Sequence, residues 1–553
     1  MAYHTSKKAV RDAELIAEWR THDDAQFAKV GMSRAELEEL LTDFNGEIIM
    51  PWSPRYNAER RLYNPVFDPF PPAIFICKTR ADAQTIVRAT TRGIPRPFTV
   101  RSGGHCTAGF SAGSGFLIDV SHLNGVTIDM DAMTATVGCG CEMQAFIREM
   151  DLYGVHVPVG ECDNVCVGGF MQGGGYGFTS CIYGMNSDNV RSVEVALGNG
   201  VIVTANRQTN SDLFWAVRGG TGGNFGIVLS VTYNLVNVGK FYGWSVVWPL
   251  ATATDRANAA NALLLFQRNF MRTAPAGFSS QVSFCFQPSD PSGGGGPLTP
   301  WLLVRGAYNG PANNPQHVIQ PLIDLPGAIF QYGIVGTFRY LNDKVLLSKP
   351  YPVPIIPNPM PNEDKQAFYI ARNLTLAEYR SILDWFVTAP DTWSYAYFEV
   401  YGGAINAYPV EDSAFIHRDV AFSACLDVFW QSESQRPAAE QFLSQWVDLM
   451  TPLSNKRVYQ NYPSLAVPDY RAAYWGPALD ALIAVKAKYD PQNFFNFAQM
   501  VSPYPGRKPV TPTWPPAVVK ALSKPIVYAS AGSAPRAGTA PKKRGFVRWL
   551  QGH

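Results

Sequence analysis

The spacing of apolar positions changes several times along the chain, and each change marks an element. Ser33-Arg-Ala-Glu36 stands just ahead of Leu37, Leu40 and Leu41, and a serine followed three residues later by glutamate starts a helix by reciprocal capping. Pro71 to Lys78 contains a short apolar run of strand length, Ala73-Ile-Phe-Ile-Cys77. Thr79-Arg-Ala-Asp82 then repeats the capping pattern and opens a helix that turns Ile86, Val87 and Ala89 inward. Phe98-Thr-Val100 is the next strand, and it leads directly into Arg101-Ser-Gly-Gly-His105. Farther on, Trp393, Tyr395, Tyr397, Glu399 and Tyr401 alternate with smaller or apolar residues, which places all five on one face of a strand. Ala421 to Asp427 reads as another strand.

These alternations describe an α+β chain. Residues 1–34 read as a charged helical extension, 35–240 as a first domain, 241–458 as an inserted domain of aromatic strands and amphipathic helices, and 459–505 as a return to the first domain. Pro288 to Pro300, with its glycine run, reads as a flexible loop, and Pro350 to Pro361 as a proline-rich connector. Residues 506–553 carry lysine and arginine among proline, alanine and serine but no acid, the composition of a disordered basic tail.

A length of 553 residues allows two or more domains around large cores. Hydrophobic residues at 46% and charged residues at 16% are ordinary for a globular protein, and a net charge of +2 gives no basic footprint for nucleic acid. No window reaches the ~20 apolar residues of a membrane span, and the first residues lack the apolar core of an export signal, so a cytoplasmic location is expected. Nine cysteines form no disulfide framework or usual zinc spacing; Cys139 and Cys141 would share a strand face about 6.5 Å apart, too far for an unstrained bridge. Reduced thiols and no metal are expected.

The chemistry gathers at two glycine-rich stretches. Arg101-Ser102-Gly103-Gly104-His105 ends in a histidine, and Gly160-Glu-Cys162 supplies a cysteine ahead of Gly173-Gly174-Gly-Tyr176-Gly177. Glycine loops let backbone N–H groups close on a phosphate, and each loop here carries a nucleophile at a set offset. Gly219 to Gly226 is also glycine-rich, but it runs into the strand-like Ile227-Val-Leu-Ser-Val-Thr-Tyr233, whereas a Rossmann fingerprint opens a helix.

Taken in order, these motifs resemble the berberine-bridge-enzyme-like branch of the vanillyl-alcohol-oxidase superfamily of flavoproteins. The resemblance rests on R-S-G-G-H, Leu117-Ile-Asp119-Val-Ser-His-Leu-Asn124, Cys162-Asp-Asn-Val165-Cys-Val-Gly168-Gly169, the triple glycine, Tyr183-Gly184-Met-Asn-Ser-Asp188-Asn189, Arg218 to Val228, Tyr459-Gln-Asn461-Tyr462 and Tyr489-Asp-Pro-Gln-Asn-Phe494. It runs from about Asn57 to Met500 and implies a two-subdomain FAD-binding domain of the PCMH type, with an inserted substrate domain built on an antiparallel sheet with helices. It further implies FAD bound twice, through His105 to the ring's 8α carbon and through Cys162 to C6. Arg101, Ser102, Gly103, Gly104, Val165, Gly168, Gly169, Gly173, Gly174, Tyr176, Gly177, Asp188, Asn189, Gly226, Ile227, Val228, Tyr459 and Asn461 would complete the cofactor site.

The same resemblance puts Tyr462 where the family's oxidases carry their catalytic base. A free phenol, with a pKa of about 10, is a poor base at neutral pH, so a carboxylate that receives the proton is needed, and Glu399 is the candidate. Trp393, Tyr395 and Tyr397 would form a stacking platform for substrate, with Asp427 as a polar contact and Thr107 as a small, polar stretch of wall. Phe170 and Thr107 replace a histidine and a tyrosine common in relatives, and Asp163-Asn164 replaces a Pro-Thr pair. Valine at 165 is the family's oxygen-admitting residue. The expected activity is oxidation of a carbohydrate hydroxyl, with C1 of an oligosaccharide going to the lactone and O2 to H2O2. The alternative is a tailoring oxidase of secondary metabolism. The expected partners are a small-molecule or oligosaccharide substrate and O2, without nucleic acid or membrane.

Overall fold

The computed structural model describes residues 2–92, 97–290, 295–346, 356, 359–502 and 516–528. Three sheets carry the architecture, and their strands and flanking helices make an α+β fold. The first holds four strands in the order Glu47–Ile49, Ile74–Ile76, Phe116–Asp119, Phe98–Arg101. Its last three strands are parallel, with the helix Arg80–Arg92 intervening in sequence between Ile74–Ile76 and Phe98–Arg101. That helix starts as its capping pattern requires: Thr79 and Asp82 exchange backbone-to-side-chain hydrogen bonds. Ser33 and Glu36 do the same at the head of Arg34–Asp43. Upstream lie the helices Ala2–Trp19 and Asp24–Val30.

The second sheet has five antiparallel strands in the order Val126–Asp129, Thr134–Gly138, Ile227–Asn234, Val190–Ala196, Ile202–Asn206. Its central strand, Ile227–Asn234, follows the Gly219–Gly226 loop. Cys139 lies just past a strand end, so Cys139 and Cys141 share no strand; both are buried and all nine cysteines are unpaired.

The third sheet is antiparallel throughout, with seven strands in the order Ile329–Gly336, Phe241–Pro249, Gly295–Tyr308, Phe278–Asp290, Tyr395–Val400, Phe422–Trp430, Asn362–Ile370. Alternation sorts its two faces. Phe284, Ala396, Phe398, Leu426 and Val428 share one buried cluster with Leu263, Phe266, Tyr379, Leu383 and Trp446 of the helices Ala253–Phe270, Leu376–Phe386 and Arg436–Met450. The opposite face carries Gln281, Arg305, Tyr395, Tyr397, Glu399 and Asp427 and looks into the molecule's main cavity. That face positions the site.

Two expectations change. Pro288 and Gly295 to Pro300 do not form a loop; they lie in the paired ends of Phe278–Asp290 and Gly295–Tyr308. Beyond Cys285 the strand Phe278–Asp290 pairs, among the described residues, only with Gly295–Tyr308, so its proline interrupts no central ladder. The tail is not wholly structureless either, because Pro516–Leu522 is a helix with Val518 and Ala521 buried. The rest of the tail, 506–515 and 529–553, and most of Pro350 to Pro361 lie outside the described residues.

Candidate active site

A cavity of about 560 Å³ runs between the two smaller sheets and the polar face of the large one. Its wall begins at Phe98 to Val100, Val120 and Gly226 to Val228, passes Ser102 to Thr107 and Gly160 to Asp163, and ends at Tyr395, Tyr397, Glu399 and Tyr462. The loops meet closely: a Cβ on Gly103 would lie 3.0 Å from both the backbone N and the Sγ of Cys166, and Gly104 holds a left-handed φ of 72°. By contrast, a Cβ on Gly169 would meet only Ser102 Oγ at 4.0 Å, so a glycine here keeps the cavity wide rather than relieving a clash. Backbone walls without side chains, at both ends of a long slot, fit a dinucleotide laid along them.

His105 and Cys162 open into this slot. The His105 ring stacks on Tyr63, with centroids 4.0 Å apart. Burial, and then the charge of Lys365, pull its pKa down to about 4, so the imidazole is neutral and one ring nitrogen holds a free lone pair. Cys162 is exposed at the cavity wall, yet protein crowds around it; that crowding, with the Glu161 carboxylate beside it, pushes the thiol up to about 12.

At the sheet end, Tyr462 Oη donates to Glu399 Oε1 at 2.5 Å. Burial raises the Glu399 carboxyl to about 8 even though this hydrogen bond acts to lower it. Tyr462 in turn is raised well above the ordinary phenol, by burial first and by Glu399 second. Glu399 Oε2 is buried and has no hydrogen-bond partner among the described residues. Tyr397 stands edge-on to Tyr462 at 6.2 Å and stacks on Tyr395 at 5.3 Å. The phenol therefore sits in an aromatic wall with one polar exit, Glu399.

The sequence reading missed the cation beside this pair. Lys365 Nζ lies 4.5 Å from the centroid of the Tyr462 ring, 3.1 Å from Asp427 Oδ2 and 3.5 Å from Glu363 Oε1, and it donates to Tyr397 Oη at 3.4 Å. Its two carboxylates keep it charged despite burial. Burial lifts the Glu363 carboxyl above its ordinary range, while Lys365 pulls it back down. Register explains the cluster, because Tyr395, Asp427 and Lys365 pair across three adjacent strands. The available signal was the alternation Glu363, Lys365 inside a strand that is otherwise apolar at its far end. Asp427 is thus engaged by Lys365, and the Thr107 hydroxyl by the Pro463 carbonyl at 2.8 Å, though both line the cavity.

Ser102, Gly103, Gly104, Val165, Gly168, Gly169, Tyr176, Gly226, Ile227, Val228, Tyr459 and Asn461 also line the wall. Tyr459 Oη accepts from the backbone N–H of Gly175 and Tyr176, and Asn461 Nδ2 donates to Phe170 O. Seven expected site residues lie elsewhere. Arg101 pairs with buried Asp119 at 2.5 Å, and Asp188 with Arg418 at 2.6 Å. Asn189 Nδ2 donates to the carbonyls of Tyr183 and Met185. Gly173, Gly174 and Gly177 are glycines for packing, since Cβ atoms there would fall 1.9 Å from Asn461 Oδ1, 2.7 Å from the Phe415 ring and 1.8 Å from Val159 O. Trp393 precedes the strand and is held in a turn by Asp391. Among the described residues, no group of three or more His, Cys, Asp or Glu could hold a metal ion, and no helix is long and apolar enough to cross a membrane.

Glycine-walled slot, neutral histidine and a buried tyrosine–glutamate pair together define a flavin-dependent oxidoreductase site. Comparison with known proteins agrees. Residues 71–206 match the FAD binding domain model, and residues 458–502 the berberine and berberine-like model. An uncharacterised FAD-linked oxidoreductase of Bacillus subtilis, YgaK, is 25% identical over 84% of this chain and 98% of its own. A chitooligosaccharide oxidase of Gibberella zeae is 27% identical over 79% of this chain and 88% of its own. The solved structure of Physcomitrella patens BBE-like 1 has the same fold, with a TM-score of 0.73 at 23% identity, covering 84% of this chain and 98% of that one. The two matched models and these relatives support a berberine-bridge-enzyme-like FAD-linked oxidoreductase.

Proposed function

We propose that this enzyme oxidises a hydroxyl of a carbohydrate, with C1 of an oligosaccharide going to the lactone, and that O2 takes the two electrons and two protons as H2O2. The observation that carries the reading is the 2.5 Å hydrogen bond from Tyr462 Oη to Glu399 Oε1 on the cavity wall. FAD supplies two-electron acceptance when bound along the glycine-walled slot. The protein's residues supply the rest. With Glu399 ionised, Tyr462 Oη accepts the substrate's hydroxyl proton as its own proton passes to Glu399 Oε1. The phenol never carries a full negative charge in a wall that disfavours one. Tyr395 and Tyr397 offer ring faces of the kind that stack on a sugar. The similarity to a chitooligosaccharide oxidase supports the substrate class.

The reading includes attachment of FAD through both His105 and Cys162, and admission of oxygen past Val165. Neutral His105 has the lone pair that a bond to carbon needs. Cys162 would hold the ring as its thiolate, a form that its raised pKa disfavours.

The deciding experiment is anaerobic mixing of the yellow enzyme with oligosaccharides and with aromatic alcohols. Bleaching by sugars, with colour and peroxide returning in air, is expected. Bleaching by aromatic alcohols alone would replace the reading with a secondary-metabolite oxidase. Tyr462→Phe should retain flavin and lose roughly 10²- to 10⁴-fold in the rate of bleaching.

A further inference from the structure

Arg305 is a buried cation that the proposed proton relay does not use. It sits on Gly295–Tyr308, and register aligns it with Gln281 and then Glu399 on the next two strands. At about 4.8 Å per strand, its Cα lies on the order of 10 Å from that of Glu399 along the cavity face. The residue is 2% exposed and belongs to the cavity wall. Nη2 donates to Gln281 Oε1 at 2.6 Å and stands 3.8 Å from Glu161 Oε2. Nε and Nη1 are buried and have no acceptor among the described residues, which leaves one N–H of the first and two of the second unsatisfied there.

Leaving charged donors unpaired inside a protein costs several times what an ordinary hydrogen bond contributes, so a chain that keeps them holds them for something that enters. The groups around the guanidinium do not meet that need. Gln281 is already shared between Arg305 and Glu161, donating to Glu161 Oε1 at 2.5 Å. Glu161 is raised by burial more than Arg305 lowers it, and at 3.8 Å it is an ion-pair neighbour rather than a hydrogen-bond acceptor. The Phe178 ring, 5.2 Å from the Arg305 Cζ, closes one side without offering an acceptor.

We propose that Arg305 binds a carboxylate of the substrate, making the preferred substrate an acidic sugar whose reacting hydroxyl lies at Tyr462 and whose carboxylate lies at Arg305. A planar guanidinium with free donors matches a carboxylate in geometry and charge, and such charge-assisted contacts are the strong ones. The proposal rests on the carbohydrate reading above and names its substrate class.

The test uses the holoenzyme and two disaccharides that differ only in a terminal uronic acid or its neutral parent sugar, with affinities taken from anaerobic flavin bleaching. The acidic member should bind roughly tenfold tighter or better, and in Arg305→Gln the ratio of the two affinities should collapse towards one. Equal affinities in the wild type would overturn the proposal. So would an Arg305→Gln enzyme with its selectivity intact but a shifted flavin spectrum and reduction potential, which would assign the guanidinium to the cofactor. Calorimetric titration with benzoate, against methyl benzoate as the neutral control, keeps the two readings apart. If no sugar bleaches the flavin, the carbohydrate reading fails, while benzoate binding to the wild type and not to Arg305→Gln still upholds a carboxylate site. Absence of benzoate binding to the wild type would overturn that site. Should Arg305→Gln fail to fold, Arg305→Lys serves, keeping the charge while losing the planar donors and part of the preference.

Discussion

A carboxyl that titrates near 8 beside a phenol that scarcely titrates sets the pH at which this site works. Glu399 accepts a proton only when ionised. Its raised pKa, caused by burial, therefore predicts a kcat/KM that climbs with pH and levels off above about 8. Glu399→Gln should flatten that limb and lower the plateau roughly 10²-fold or more, as a pH series from acid to alkaline with a bleaching sugar would show. The same shift has a stability consequence of definite sign. Below the ordinary glutamate pKa of 4.5, folded and unfolded chains both hold this proton. Between there and about 8, only the folded chain does, so stability falls as pH rises through that window. Glu399→Gln should gain thermal stability relative to wild type at pH 8 compared with pH 4. Tyr462, Glu399, His105 and Cys162 could be picked out beforehand because motif and alternation single them out. Lys365 and Arg305 were harder to pick out, because Lys365 sits in the polar run Asn362 to Gln366 and Arg305 looks like an interruption of an apolar strand, until register brings their partners alongside.

At the level of elements, the glycines divide into two kinds that sequence alone does not separate. Gly169, in the helix Val167–Gln172, opens onto the cavity, whereas Gly177 presses against the Val159 carbonyl. Gly169→Ala should leave the melting temperature close to wild type but reduce flavin incorporation, because the added methyl enters the cofactor's space. Gly177→Ala should do the reverse in kind, destabilising by about 1–3 kcal/mol as backbone is pushed from backbone. Thermal melts and visible absorbance per mole of protein read the two effects separately. A drop in stability from Gly169→Ala equal to that from Gly177→Ala would contradict the division. The triple-glycine stretch looked like a phosphate cradle because glycine composition is the same whether the close neighbour is a ligand or another strand of protein. Helix starts were clearer, since capping by Ser33 and Thr79 depends only on residues three apart. The hairpin around Pro288 was obscured for a physical reason: with a single partner strand, its end tolerates residues that a central strand rejects.

Across the whole molecule, the fold wraps one continuous wall around the cavity, and the C-terminal part of the chain holds the FAD-binding side of that wall together. Lys486, buried in the helix Leu479–Tyr489, donates to the carbonyls of Asn224 and Phe495 and pairs with Asp490 at 2.6 Å, which ties the Gly219–Gly226 loop to the return segment. The helix Pro516–Leu522 then packs on that helix and on Ser211–Ala216. Asn210, held at a left-handed φ of 46°, accepts from Val527 N through Oδ1 and donates to Val527 O through Nδ2, and Lys488 Nζ donates to Ala521 O. None of this was legible in a basic, proline-rich composition, because Val518 and Ala521 are too few to give a periodic signal and gain their worth only from the surface they cover. The tail is thus a fastener as far as Tyr528. Ending the chain after Ser502 should lower the melting temperature by several degrees, and Val518→Ser alone should cost about 1–3 kcal/mol. Ending it after Tyr528 keeps every one of these contacts and should leave the melt in place. A melt unmoved by both truncations would mean that the helix is bound too weakly to hold the return segment, and that Lys486 and its partners carry the closure by themselves.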